Sequence, residues 1–162
     1  MTAPARLSNA AIAKYAEKVG HNYRIYDDSG CADIDALRKQ LGGRIEYADL
    51  PESSHVFRPG DFVIFIPNST SMRRDRFTVA HELGHYFLHY LYANQTGQMI
   101  FNRGGRDRAE TEANVFASAL LMPGDAFRRA WADHEGRGWV VASVFDVSPA
   151  AAEVRAEVLG LS

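Results

Sequence analysis

Cysteine is almost absent from this chain of 162 residues, because Cys31 is the only one. A single thiol cannot form a disulfide within the chain, and it cannot supply the group of thiolates that holds a metal ion in many small domains. Any metal site in this protein must therefore be built from histidine and carboxylate side chains.

The chain also lacks long apolar runs and a large net charge. No apolar stretch approaches the roughly 18 residues that a membrane-spanning helix needs, and residues 1–6 contain no apolar core of a signal peptide. The net charge of −2 gives no general attraction to nucleic acid. We therefore expect a cytoplasmic protein that has no membrane partner and does not act through direct nucleic-acid binding.

What is present is the composition of an ordinary folded protein, with 46% hydrophobic and 23% charged residues. This length fits one domain with a sizeable core. Internal repeats, low-complexity tracts and dividing linkers are not found in the sequence. We expect a single domain over residues 1–162.

The N-terminal part of the chain predicts two helices followed by strands. Apolar residues recur at helical spacing over residues 8–19, where Ser8 or Asn9 can cap the helix and Gly20 can end it. A second, shorter helix is predicted over residues 33–41, with Asp33 as its cap.

Residues 44–50 and 61–66 have the pattern and composition of strands, and residues 55–58 are a candidate for a third. They predict a small antiparallel sheet of about three strands. Residues 61–66 are the expected edge strand, along which an extended peptide could pair backbone to backbone. Four helical segments follow, over residues 75–92, 107–122, 125–134 and 139–159, and the loop after the first of them contains a brief extended piece at residues 99–101.

The sequence His-Glu-Leu-Gly-His at residues 81–85 has the clearest chemistry. Residues four apart share one face of a helix, so His81 and His85 can bind one metal ion from the same side. Glu82 lies about 100° around the helix, where it can reach a water molecule beside the metal instead of the metal itself. This arrangement is typical of metallopeptidases, which complete the site with a third protein ligand.

Two carboxylates on the predicted helix over residues 107–122 are candidates for the third ligand. Glu110 and Glu112 lie some 200° apart around a helix, so both cannot face one metal ion. Asn114 lies one turn after Glu110 on the same face, where it could hydrogen-bond the free ring nitrogen of a ligand histidine. We predict that Glu110 is the ligand and that Glu112 faces outward.

Further polar side chains could support the site. His89 lies one turn beyond His85 and is either a fourth ligand or a buried histidine next to the ligands. The negative charge that develops on a carbonyl oxygen during peptide hydrolysis also needs a hydrogen-bond donor. Several side chains could provide it, and they are His55, Arg76, Tyr86, His89 and Tyr90.

Two blocks of the sequence occur in a recognisable order. The first is Arg-Phe-Thr-Val-Ala-His-Glu-Leu-Gly-His-Tyr-Phe-Leu-His at residues 76–89. The second is Glu-Thr-Glu-Ala-Asn-Val-Phe-Ala at residues 110–117, followed by Leu-Leu-Met-Pro at residues 120–123. Together they resemble the ImmA/IrrE family of zinc metallopeptidases. The resemblance implies a zincin-like α+β fold with a small sheet, an HExxH helix paired with a Glu-bearing helix, and an α-helical C-terminal part.

The same resemblance implies zinc bound by His81, His85 and Glu110, with Glu82 as the general base. Manganese and iron are alternative metals for such a donor set. Family members known to act cleave helix-turn-helix repressors of the Xre type, and they thereby control genes of stress response or mobile elements. We therefore expect a zinc endopeptidase whose protein substrate is a transcriptional repressor or an antitoxin, and which could be encoded beside its target as an activator or a toxin.

Within the expected single domain we distinguish three parts. They are N-terminal helices and sheet (residues 1–72), zinc-site helices (73–123) and C-terminal helices (124–162). Two alternative functions remain open. The protein could be a non-catalytic module that binds a partner on a metallopeptidase frame. It could also be a DNA-associated regulator acting through residues 139–161, which resemble half of a helix-turn-helix unit, with Ser148 as the cap and Pro149 as the first residue of its last helix.

Overall fold

The computed structural model describes residues 2–161. Within them the chain forms seven α-helices and four β-strands, and the fold is α+β as predicted. In chain order these are α1 (Asn9–Asn22), α2 (Ile34–Leu41), β1 (Gly43–Tyr47), β2 (Glu52–Arg58), β3 (Asp61–Ile66), α3 (Met72–His85), β4 (Met99–Asn102), α4 (Arg108–Leu121), α5 (Gly124–Asp133), α6 (Gly138–Phe145) and α7 (Pro149–Val158).

The first two helices begin at the predicted caps. The Ser8 side chain accepts a hydrogen bond from the backbone N–H of the third residue after it, and Asp33 does the same for α2. The prediction that Gly20 ends α1 is wrong, because the helix continues to Asn22. Gly20 is instead a packing position, where a Cβ atom would collide with the ring of Tyr26.

The sheet is mixed and has the strand order β1-β3-β2-β4 among the described residues, which corrects the predicted antiparallel sheet of about three strands. β2 and β3 form a hairpin, and β4 pairs antiparallel with the other side of β2. β1 pairs with the remaining side of β3 and runs parallel to it. The chain that connects these two parallel strands contains β2, which lies on the other side of β3.

This order also corrects the expected edge strand. Residues 61–66 form β3, which is paired on both sides and cannot accept a further strand. The brief extended piece predicted near residues 99–101 forms β4, an end strand of the sheet. β4 is therefore the strand that lies at the edge beside the helices that follow.

α3 packs mainly against α4, and α1 packs against α4 as well. Gly84 lies at the contact between α3 and α4, where a Cβ atom would be 3.0 Å from the carbonyl oxygen of Ala113 and 3.2 Å from Cβ of Phe116. The glycine thus lets the backbones of the two helices approach closely. This contact sets the distance between the histidines of α3 and the first turn of α4.

The C-terminal helices are attached to α3 through Arg76. Its guanidinium group donates hydrogen bonds to the backbone carbonyls of Ala32, Phe145 and Asp146. Ser148 caps α7, as expected from the sequence, and Pro149 follows in its first turn. Across residues 2–161, helices that combine the length and apolar character needed to cross a bilayer are not found.

Candidate active site

The two histidines of the motif lie one turn apart at the end of α3, with ring centroids 4.8 Å from each other. α3 begins at Met72, three residues before the predicted start, where Ser71 caps it. Beyond His85 the helix continues as a π-helical turn over Tyr86–Leu91. Such widened turns occur often at functional sites, and here the turn places His89 against the ring of His85.

Glu110 in the first turn of α4 joins the two histidines. Asp107 caps α4 and accepts a hydrogen bond from the backbone N–H of Glu110. The Oε2 atom of Glu110 lies 3.1 Å from Nε2 of His81 and 2.5 Å from Nε2 of His85. The potential ligand atoms of the three residues all lie within 4.8 Å of one another. Sequence reasoning predicted these three residues together, and the fold brings them together.

This donor set fits a divalent metal ion. Two imidazole nitrogens and one carboxylate oxygen are the usual protein ligands of a catalytic metal site that leaves a further position open. Burial would lower the pKa of His81, but Glu110 and Glu82 outweigh that effect and raise it. Burial would likewise raise the pKa of Glu110, but the two histidines lower it to about 2. The surroundings thus favour positive charge between the three side chains, which a bound cation would supply.

Glu112 does not face outward, so this prediction is wrong. Its side chain is fully buried, and it accepts hydrogen bonds from the backbone N–H groups of Ala5 and Arg6 at 2.8 and 2.9 Å. Glu112 does lie on a different side of α4 from Glu110, as the helical spacing predicts. That side is not exposed, because the N-terminal segment and His89 cover it. Burial would raise the pKa of Glu112, and the hydrogen bonds from His89 and the two backbone groups outweigh this and lower it.

A chain of hydrogen bonds runs from Glu112 through His89 to His85. Nε2 of His89 lies 2.8 Å from Oε1 of Glu112, and its Nδ1 lies 2.8 Å from Nδ1 of His85. Burial lowers the pKa of His89, which favours a neutral ring that has a single N–H. That N–H donates to the carboxylate, which leaves Nδ1 of His89 to accept from His85. His85 therefore presents the lone pair of Nε2 toward Glu110.

Asn114 has the same effect on the other histidine. Its Oδ1 atom lies 2.7 Å from Nδ1 of His81, so it accepts the N–H of that ring nitrogen. Nε2 of His81 is then free to face Glu110. Both imidazoles are thus held in the form that can bind a cation, one by an amide and the other by the buried histidine and glutamate.

Glu82 lies beside this group and is 4% exposed. Its Oε1 atom accepts hydrogen bonds from the hydroxyl groups of Ser53 and Ser54, each at 2.9 Å. Its Oε2 atom lies 3.9 Å from Nε2 of His81. The carboxylate of Glu82 therefore lies near the metal-binding atoms but does not belong to that group of ligands. This is the position expected of a general base.

The site lies between two open clefts. One cleft, of about 300 Å³, is bordered by His81, Glu82 and Arg103. The other, of about 400 Å³, is bordered by His85 and Glu110 and is lined by β4 and by Thr2. The ring of Phe101 on β4 stacks on His85 with centroids 4.8 Å apart, so the edge strand of the sheet reaches the site itself.

Four of the five predicted oxyanion donors have hydrogen-bond partners outside the group of His81, His85 and Glu110. The hydroxyl of Tyr86 accepts a hydrogen bond from the backbone N–H of Gly60, and Arg76 binds the backbone carbonyls described above. Tyr90 donates to the carbonyl of Gly97, and His55 lies beside Gln98.

The sequence reasoning missed Ser53, Ser54 and Phe101. Serine and phenylalanine in a strand carry no sign of such a role, because contact with the site depends on how the strands are ordered. In the sequence the two serines lie within a run of four polar residues at positions 52–55, which has no alternation from which their direction could be predicted.

Comparison with protein families matches residues 38–157 to the IrrE N-terminal-like domain of the M78 peptidases. Comparison with curated proteins gives no match. The matched range includes the sheet, both helices of the site and most of the C-terminal part, and it confirms the resemblance to ImmA/IrrE. The chain therefore belongs to the IrrE N-terminal-like family of M78 peptidases, and its His81, His85 and Glu110 lie together with Glu82 beside them.

Proposed function

We propose that this protein is a zinc-dependent endopeptidase that cleaves a specific protein. The observation that carries the proposal is the meeting of His81, His85 and Glu110 around one point, with the carboxylate of Glu82 next to it. Zinc suits two imidazoles and one carboxylate, and it requires no change of oxidation state. Manganese and iron accept the same ligands, so the test must also identify the bound metal.

The side chains divide the work of hydrolysis between them. A divalent cation, when bound, supplies Lewis-acid activation of a water molecule and of the scissile carbonyl group. Glu82 takes the proton of the attacking water on Oε2 and then gives it to the leaving amine nitrogen. Asn114 and His89 hold the two ligand rings in place.

The substrate segment is proposed to lie extended along β4. This strand is at the edge of the sheet and contacts the site through the stacking of Phe101 on His85. An added strand would pair with the backbone of β4 and bring one of its peptide bonds past Glu82. β4 thus takes the role that sequence reasoning had given to residues 61–66.

The substrate itself is proposed to be a helix-turn-helix repressor of the Xre type or a related antitoxin. The support is the family to which the chain belongs, together with the resemblance of its two sequence blocks to ImmA/IrrE. Cleavage would release the genes that the repressor holds silent, in stress response, in a mobile element or in a toxin–antitoxin pair.

The test is to incubate the metal-loaded protein with the repressor encoded beside it and to identify fragments by mass spectrometry. Glu82→Gln is the matched control, because it should retain the metal while losing roughly 100-fold or more of the cleavage rate. Metal content is measured by elemental analysis in the wild type, in Glu82→Gln and in His85→Ala, and only the last should lose it. An intact repressor in every reaction defeats the proposal.

The alternative of DNA binding through residues 139–161 gains nothing from the structure. Arg155 of α7 is buried and donates to the backbone carbonyl of Met122. The exposed residues of α7 include Glu153, Val154 and Glu157, which form a poor surface for phosphate groups.

A non-catalytic binding module remains the alternative function. Retained partner binding without cleavage under any metal would favour it.

A further inference from the structure

Strand β2 contains a bulge at Ser53, next to the site. Glu52 of β2 pairs with Asn102 of β4, but Ser54 pairs with Phe101, so Ser53 is an extra residue without an opposite partner on β4. In a regular strand, consecutive side chains point to opposite faces. A bulge interrupts this alternation and can direct two neighbouring side chains to one face. Accordingly, Ser53 and Ser54 are both buried.

Both hydroxyl groups meet the same atom. Each Oγ lies 2.9 Å from Oε1 of Glu82, and Oε2 of that carboxylate is the atom nearer to His81. Two donors on one oxygen fix the plane of the carboxylate as well as its position. The other oxygen is thereby aimed toward the metal-binding atoms.

The two serines do not contribute equally. A hydroxyl group has a single hydrogen to donate, and the hydrogen bond recorded for the Ser54 hydroxyl goes to Glu82. The hydroxyl of Ser53 also lies 3.2 Å from the carbonyl oxygen of Phe101, so its hydrogen is shared between two acceptors. Ser54 is therefore the stronger donor to the carboxylate, while Ser53 also connects β2 to β4.

We propose that Ser53 and Ser54, turned to one face by the bulge in β2, are positioning residues that aim Oε2 of the general base Glu82 at the attacking water. This inference rests on the proposed endopeptidase function. Without the two hydroxyl groups the carboxylate can rotate about its side-chain bonds, and it spends less time in the orientation that accepts the proton. The binding of the substrate along β4 should not depend on the Ser54 hydroxyl, because its hydrogen bond goes to Glu82.

The kinetic experiment measures cleavage of the neighbouring repressor by Ser53→Ala, Ser54→Ala and Ser54→Thr. Ser54→Ala should lower kcat roughly tenfold, as expected for the loss of one hydrogen bond to a charged group, with KM and metal content unchanged. Ser53→Ala should lower kcat less, and Ser54→Thr, which keeps the hydroxyl, should restore most of the rate. Ser118→Ala on α4 is the matched control and should behave as the wild type.

A second experiment needs no substrate. The metal is replaced by Co²⁺, whose visible absorption reports changes around the ion, and spectra are compared for Ser54→Ala, Glu82→Gln and the double variant. If Ser54 acts through Glu82, the serine substitution changes the spectrum of the wild type but adds nothing to that of Glu82→Gln. Ser118→Ala should leave the spectrum unchanged.

Three results would overturn the proposal. They are an unchanged kcat in Ser54→Ala, a fall in kcat that accompanies loss of metal or of the folded state, and a serine effect on the Co²⁺ spectrum that persists in the Glu82→Gln background. Absence of cleavage by every variant and by the wild type would count against the endopeptidase function, and the Co²⁺ spectra would then decide the positioning role alone.

Discussion

A single buried carboxylate, that of Glu112, connects the N-terminal segment to the histidines of the site. It accepts hydrogen bonds from the N–H groups of Ala5 and Arg6 and from the ring of His89. Hydrogen bonds to a charged acceptor are stronger than neutral ones, and a buried donor that loses its acceptor pays the full cost of desolvation. The charge on Glu112 therefore stabilises both the chain before α1 and the orientation of His85.

The substitution Glu112→Gln should weaken both the attachment of the segment before α1 and the fixed orientation of His85. The amide has one acceptor oxygen in place of two, so at least one of the three donors is left unpaired, and the free energy of unfolding should fall by about 3 kcal/mol. Affinity for the metal should fall roughly tenfold, because His85 loses its fixed tautomer. Chemical denaturation and competition with a chelator measure the two effects. Glu157→Gln on the exposed face of α7 is the control, and equal behaviour of the two variants would contradict the assigned role.

Single residues also show what sequence reasoning could reach. Glu110 could be identified because helical spacing relates it to Asn114 along one helix, and the fold places both at the histidines. The burial of Glu112 could not be predicted from the sequence, because it depends on the N-terminal segment, which is more than 100 residues away in the chain. Residue spacing within a helix is local information, whereas the partner that covers a helix face is not.

Among the elements, α3 and α4 determine the candidate site, because each helix contributes part of the candidate ligand set. His81 and His85 come from α3, and Glu110 comes from the first turn of α4. The distance between the two helices is limited at Gly84, whose Cα faces the backbone of Ala113. A methyl group at this position would press against a helix backbone that cannot move without moving Glu110.

Gly84→Ala should therefore destabilise the protein, although alanine favours a helix over glycine by about 1 kcal/mol. Overpacking typically costs about 1–3 kcal/mol, and the nearest atoms here belong to α4 itself, so a net loss of about 1 kcal/mol is expected. Metal affinity should fall as well, because α3 and α4 separate. Gly97→Ala is the control, since a Cβ atom there meets open space. A Gly84→Ala protein with unchanged metal affinity would show that the helices tolerate the methyl group.

The elements themselves differ in how far the sequence determines them. The helices could be predicted from caps such as Ser8, Asp33 and Ser148, which act within one turn. The strand order could not, because pairing joins segments that are distant in sequence. One clue existed, since residues 61–66 are nearly continuously apolar, and such a run is more typical of a central strand than of an edge strand.

On the scale of the whole molecule, the site depends on groups from several distant parts of the chain. β2 contributes the hydroxyl groups that hold Glu82, and the segment before α1 closes over Glu112. From the other side, Arg76 ties α3 to the C-terminal helices. The division at residues 72 and 123 stays a prediction, but hydrogen bonds cross both of these positions. A ligand that joins α3 to α4 should therefore stabilise the molecule as a whole.

Removal of the metal should accordingly lower the unfolding temperature of the entire protein. A ligand present at 100 times its Kd stabilises the folded state by about 2.7 kcal/mol, which for a domain of this size corresponds to roughly 5–10 °C. Differential scanning calorimetry with EDTA and then with excess zinc measures the change. His85→Ala is the matched control, because without that ligand zinc should no longer raise the unfolding temperature. An equal rise in His85→Ala would mean that the stabilising ion binds somewhere other than between His81, His85 and Glu110.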